Sequence, residues 1–61
     1  MKKWYAVMAD RDDRDWGYGS ENLEEAKQMV REMESDTAYI AVIDVTAGDP
    51  ICIAEIEQNE F

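Results

Sequence analysis

Apolar and polar positions set the first element. From Lys3 to Ala9, Trp4, Ala6 and Met8 alternate with Tyr5, Val7 and Ala9. A period of two with aromatic and β-branched content predicts a strand. The period changes after Asn22. Leu23, Ala26, Met29, Val30 and Met33 fall within a stripe about 120° wide at roughly 100° per residue, the width of one core-facing helix face. The helix is expected to end near Glu34 to Asp36. Asn22 suits its N-cap, and Glu25, three residues on, suits the return arm of a capping box. Two runs rich in Ile and Val, 38–45 and 51–56, flank Thr46-Ala47-Gly48-Asp49-Pro50. Glycine admits unusual φ there and Pro50 restricts Asp49 to extended conformations, so the runs predict a hairpin. The pattern gives an α+β fold of βαββ order in one small domain over 1–61, one helix on a three-stranded sheet. Residues 15–19 are a candidate extra short strand against 3–9. That strand would give ββαββ, reverse the helix and carry Asp10–Asp15 to the helix C-terminal end.

One helix covers one face of a sheet, yet both predicted hairpin strands are apolar on both faces. Ile40 and Val42 oppose Tyr39, Ala41, Ile43 and Val45, and Ile51 and Ile53 oppose Cys52, Ala54 and Ile56. A strand half exposed to water should alternate with polar residues. Two coverings are open: Trp16 and Tyr18 from the long connection, or a second copy meeting a self-association face at Tyr39, Ile43 and Ile56. A chain of 61 residues buries only about 60% of its unfolded surface, and small folds commonly lean on a disulfide, a metal or a second subunit. Cys52 is the single cysteine and there is no histidine, which removes an intrachain disulfide and the usual Cys/His zinc site. A homodimer is the remaining expectation.

Charge changes the picture most. The net charge is -9, from fifteen acids and six bases. Through residue 31 there are seven acids and six bases; from Glu32 onward there are eight acids and no base. Direct binding to a phosphate backbone needs clustered Lys and Arg and is not expected. At 46% hydrophobic, the chain is too apolar for a disordered acidic tail. No apolar run approaches the ~20 residues of a membrane span. The opening Met1-Lys2-Lys3-Trp4 lacks a signal-peptide core, and a cytoplasmic protein is expected. Hairpin geometry should place Glu32, Glu34 and Asp36 beside Glu55, Glu57 and Glu60. Acids at a helix C-terminus oppose its dipole by some tenths of a kcal/mol each. These six are the candidate surface for a basic partner; the competing reading is a solvated rim that confers solubility.

Other motifs carry less. Asp10-Arg11-Asp12-Asp13-Arg14-Asp15 makes a poor calcium loop: from Asp13, Asp15 and Glu24 fall at ligand positions, but Gly17 and Tyr18 stand where a ligand and the turn glycine belong, and from Asp10, Arg14 takes a ligand position. The expectation is a solvated loop with local Asp–Arg pairs. Trp16-Gly17-Tyr18-Gly19-Ser20 offers Trp16 and Tyr18 as packing or as an aromatic contact. Cys52, with no base and acidic surroundings, reads as a buried structural thiol. No catalytic residue, cofactor or metal site is assigned.

Trp4-Tyr5-Ala6-Val7, Gly19-Ser20 followed by Glu25-Ala26, Ile40-Ala41-Val42-Ile43-Asp44, and Cys52-Ile53 with Glu55-Ile56 together resemble a group of small, acidic, uncharacterised proteins of gut Gram-positive bacteria and their mobile elements. That resemblance implies no activity. Gly19 to Met33 alone is similar to the strand–helix part of HicB-type antitoxins, without their DNA-binding segment. The functional expectation is a non-enzymatic acidic binding or inhibitor protein that docks a basic surface, a nucleic-acid mimic in its sharpest form. The alternative is an assembly protein that self-associates through its second sheet face.

Overall fold

A computed structural model describes residues 2–61. Its elements are β1 (Lys3–Met8), β2 (Gly19–Ser20), α1 (Leu23–Met33), β3 (Tyr39–Asp44) and β4 (Ile51–Ile56), closed by a 3-10 turn over Gln58–Glu60. The class is α+β, with a fourth strand added to the expected three. The sheet order is β2-β1-β3-β4 and every pairing is antiparallel.

The added strand lies at Gly19–Ser20, at the end of the 15–19 candidate. Tyr5 pairs with Ser20 and Ala6 with Gly19, and the Val7 N–H donates to Tyr18 O at 2.7 Å. Glycine is required at 19: a Cβ there would lie 2.1 Å from Tyr5 O and 2.9 Å from Ala6 Cα. Both are backbone atoms of the neighbouring strand, and neither can yield.

At the start of α1, Asn22 Oδ1 accepts the Glu25 N–H at 3.2 Å. The reciprocal arm of the expected capping box is replaced. The Asn22 N–H donates to Ser20 Oγ at 3.0 Å, so the short strand β2 caps the helix that follows it. At the other end Glu34 takes the left-handed region, φ 53°. That conformation favours glycine at helix C-caps.

Ala26 and Val30 of α1 pack with Val7, Ala38 and Ile40, and Leu23, Met29, Met33, Ile56 and Phe61 surround them. The opposite sheet face has its own core of Ala6, Met8, Tyr39, Ala41 and Ile43, against which Trp4, Trp16 and Val45 pack. Of the two coverings open from sequence, the long connection supplies one. Trp16 lies on this face, held where the Trp4 Nε1–H donates to Trp16 O at 2.7 Å. Tyr18 does not help, being 50% exposed.

This arrangement corrects the self-association face. Tyr39 and Ile43 are only 5% and 1% exposed within the single chain, so they form no open surface. Ile56 is not on their face at all: it pairs with Ile40, and cross-strand partners share a face. A β-bulge underlies the discrepancy. Val42 pairs with Ala54, but Ile43 pairs with Cys52, so Ile53 is an extra residue and the alternation flips there. β4 is also the edge strand. Residues 51–55 are exposed, Cys52 included, which overturns its reading as a buried thiol. The helix and the 9–18 connection cover β1 and β3 and stop short of the lower part of β4.

Among the described residues no helix is long and apolar enough to cross a membrane.

Candidate functional site

The topology decides where the acids go. β1 runs toward the 9–18 connection, β2 returns, and α1 runs back in the direction of β1. The C-terminal end of α1, the start of β3 and the end of β4 therefore lie at the end of the molecule where the connection begins. The Ile40–Ile56 and Met8–Tyr39 pairings fix this register. Glu32, Glu34, Asp36, Glu55, Glu57 and Glu60 all belong to this end, and Asp10, Asp12 and Asp13 join them.

Local hydrogen bonds tie the segments together. Gln58 Nε2 donates to Ser35 O at 2.6 Å and to Ala38 O at 2.9 Å. Thr37 Oγ1 donates to Ala9 O at 2.7 Å. The Glu57 N–H donates to Glu60 Oε2 at 2.9 Å, starting the closing turn. Phe61 then reaches the helix-side core, where Lys27 Nζ and the Arg31 guanidinium approach its ring at 5.8 and 5.9 Å. Between these segments lies a shallow depression of about 450 Å³, lined by residues that include Arg11, Asp36, Glu57 and Gln58.

The aspartates of the connection act on its own backbone. Asp10 Oδ1 accepts the N–H groups of Asp12 and Asp13 at 2.9 and 3.0 Å. Asp13 accepts from Ala9 and Asp15, each at 2.9 Å. Asp15 Oδ1 accepts from Gly17 at 2.8 Å. Successive turns of this kind are what short acidic side chains offer a loop. The arginines differ from the expectation of local Asp–Arg pairs. Arg14 donates to the carbonyls of Arg11 and Asp13. Arg11 crosses to β4, with Nη1 3.0 Å from Glu55 Oε1 and Nη2 2.5 Å from Glu57 Oε2. Its guanidinium also stacks on Tyr39 at 4.0 Å from the ring centroid.

The run of acids after Glu32 therefore meets a base in space that it lacks in sequence. Arg11 takes up Glu55 and Glu57, and the hydrogen bond to Glu57 is the main cause that raises its guanidinium above the ordinary arginine value. Glu32, Glu34, Asp36 and Glu60 are exposed, and among the described residues none of them forms a salt bridge. Those four form the open part of the candidate surface. Of the two aromatic candidates, Trp16 is committed to packing and Tyr18 stays open to solvent. Sequence reasoning missed Arg11, Thr37, Gln58 and Phe61, for which neither spacing nor residue type gives a signal.

Two carboxylates titrate below their usual range. The Ala9 N–H, followed by that of Asp15, holds Asp13 below 3.8. The Thr46 N–H is the leading cause of the same shift at Asp44. A depressed folded value means that the stabilisation is present above the unfolded pKa and is lost as pH falls through the folded one. Acidification below pH 3.8 is expected to loosen the 9–18 connection and shift tryptophan emission to the red. Emission that stays flat from neutral pH down to full carboxylate protonation would contradict this use of Asp13.

No family model, curated protein or solved structure matches the chain.

Proposed function

We propose that the chain is a non-enzymatic acidic binding protein that docks a basic protein surface through the end built from the α1 C-terminus, the β4 terminus and the closing turn. The observation that supports it most is the group of Glu32, Glu34, Asp36 and Glu60: four exposed acids without ion-pair partners among the described residues, on backbone tied down by Gln58 and Thr37. Glu34 adds weight. It stands in a left-handed conformation and at the negative end of the helix dipole, two penalties that glycine would avoid. A basic partner relieves the electrostatic one.

The sharpest form of the proposal is imitation of a nucleic acid. Carboxylates on a helix turn and on a neighbouring strand end repeat at several ångströms, on the scale of successive phosphates along one strand. A basic nuclease or DNA-binding regulator is then the partner class. The test is competition: duplex DNA should displace the chain from such a protein, and the affinity should fall steeply with salt. Binding indifferent to both would overturn the proposal. The self-association alternative is less supported as framed from sequence, because Tyr39 and Ile43 are only 5% and 1% exposed within the single chain.

A further inference from the structure

We propose that the free edge of β4 takes up an extended strand of the basic partner, apolar at its centre and bearing lysine or arginine at both ends. The inference rests on the reading that the chain docks a basic protein, and it names a second part of the contact. β4 ends the strand order, so among the described residues one side of its backbone is unpaired, a ready template for strand addition. Ile51 and Ile53 are 56% and 47% exposed, and Cys52 and Ala54 between and beside them are exposed as well. None of these four residues carries the charge that commonly guards a sheet edge. Pro50, which lacks an N–H, and the bulge at Ile53 limit the available edge to a short strand.

Charge decides the occupant. The apolar stretch is bracketed by Asp49 on one side and, on the other, by Glu55 and Glu57, two carboxylates that share the single Arg11 guanidinium and so keep that end net negative. A second copy pairing antiparallel about the Cys52–Ile53 midpoint would set Asp49 opposite Ile56 of its mate, flanked by that copy's Glu55 and Glu57. Centring the pair on Cys52 instead sets Asp49 opposite Glu55. Centring it on Ala54 sets Ile53 opposite Glu55 and Ile51 opposite Glu57. Each register brings like charges together or faces an acid with an isoleucine, and like charges opposite one another destabilise a sheet. A strand with basic ends turns the same brackets into attractive cross-strand pairs, around an apolar centre of the kind found in protein interfaces.

The test is an NMR titration of the isotopically labelled chain with a synthetic ten-residue peptide, a Val/Thr-alternating centre between two pairs of lysines. The expected result is amide shifts and slowed hydrogen exchange concentrated at 51–56. Binding should weaken at least tenfold when the lysines become glutamates, when a proline interrupts the centre, or when the chain carries Ile53→Lys, an exposed site whose change spares the core. An unaltered response to the proline peptide, shifts confined to Glu32, Glu34, Asp36 and Glu60, or no shifts at all would overturn the edge proposal. Shifts confined to those acids would leave the acidic-end reading standing, so the two failures are separable. Concentration-dependent protection of 51–56 in the chain alone would assign the edge to a second copy and overturn the proposal as well.

Discussion

Ile40→Ala is expected to remove a large part of the domain's folding stability. Ile40 is fully buried, 0% exposed, in the centre of the helix-side core. It also pairs with Val7 on one side and Ile56 on the other. Truncating a buried isoleucine costs about 2–5 kcal/mol. A domain of this size has a total stability of about 3–9 kcal/mol at typical per-residue values, so the change removes a large part of it. The melting temperature followed by circular dichroism should fall by about 10–40 °C. Ile53→Ala is the control: half exposed at the sheet edge, it should cost less than about 1 kcal/mol. Equal losses at the two positions would contradict the assignment of core and edge.

Trp16→Ala is expected to uncover the second sheet face. The indole is the group of the connection that packs against the core of Ala6, Met8, Tyr39, Ala41 and Ile43. Because it is only partly buried, its loss should cost less than the ~3–5 kcal/mol of a fully buried aromatic. The larger consequence is exposure. A continuous apolar surface then meets water, and such surfaces drive association. The variant should bind a hydrophobic dye and show a concentration-dependent mass by sedimentation, while the unaltered chain does neither through this face. A monomeric, dye-silent Trp16→Ala protein would mean that the connection is not what keeps the face covered.

These two positions also show how far the sequence could be read. The three main strands, the helix and its Asn22 cap follow from local periodicity and side-chain chemistry; the ends of those strands hold to within a residue, while the helix ends up to three residues early and the extra strand is confined to Gly19–Ser20. The gathering of Glu32, Glu34 and Asp36 with Glu55, Glu57 and Glu60 follows from the hairpin alone. What covers the second face was open, because either a tryptophan from the distant connection or another copy satisfies the same pattern. The bulge at Ile53 was not legible. Ile-Cys-Ile-Ala-Glu-Ile alternates without interruption, and only pairing with β3 displaces one residue. That displacement moved Ile56 to the helix side, and the reach of the helix, another tertiary property, left Cys52 in solvent. Arg11 was hidden for a related reason: it stands in a run of aspartates, yet the carboxylates of Asp10, Asp13 and Asp15 serve the loop backbone, and the guanidinium finds its partners 44 and 46 residues away.

Binding of a basic protein by the acids that Arg11 leaves open is the proposal most open to test. The most direct measurement compares the chain with a variant carrying Glu32→Gln, Glu34→Gln, Asp36→Asn and Glu60→Gln, by calorimetric titration against a basic DNA-binding protein at low and high salt. None of the four is buried or ion-paired among the described residues, so the variant should fold at least as stably, with less self-repulsion. The expected result is an affinity at least tenfold weaker at low salt and a flatter salt dependence. Unchanged affinity and an unchanged salt slope in a folded variant would contradict it.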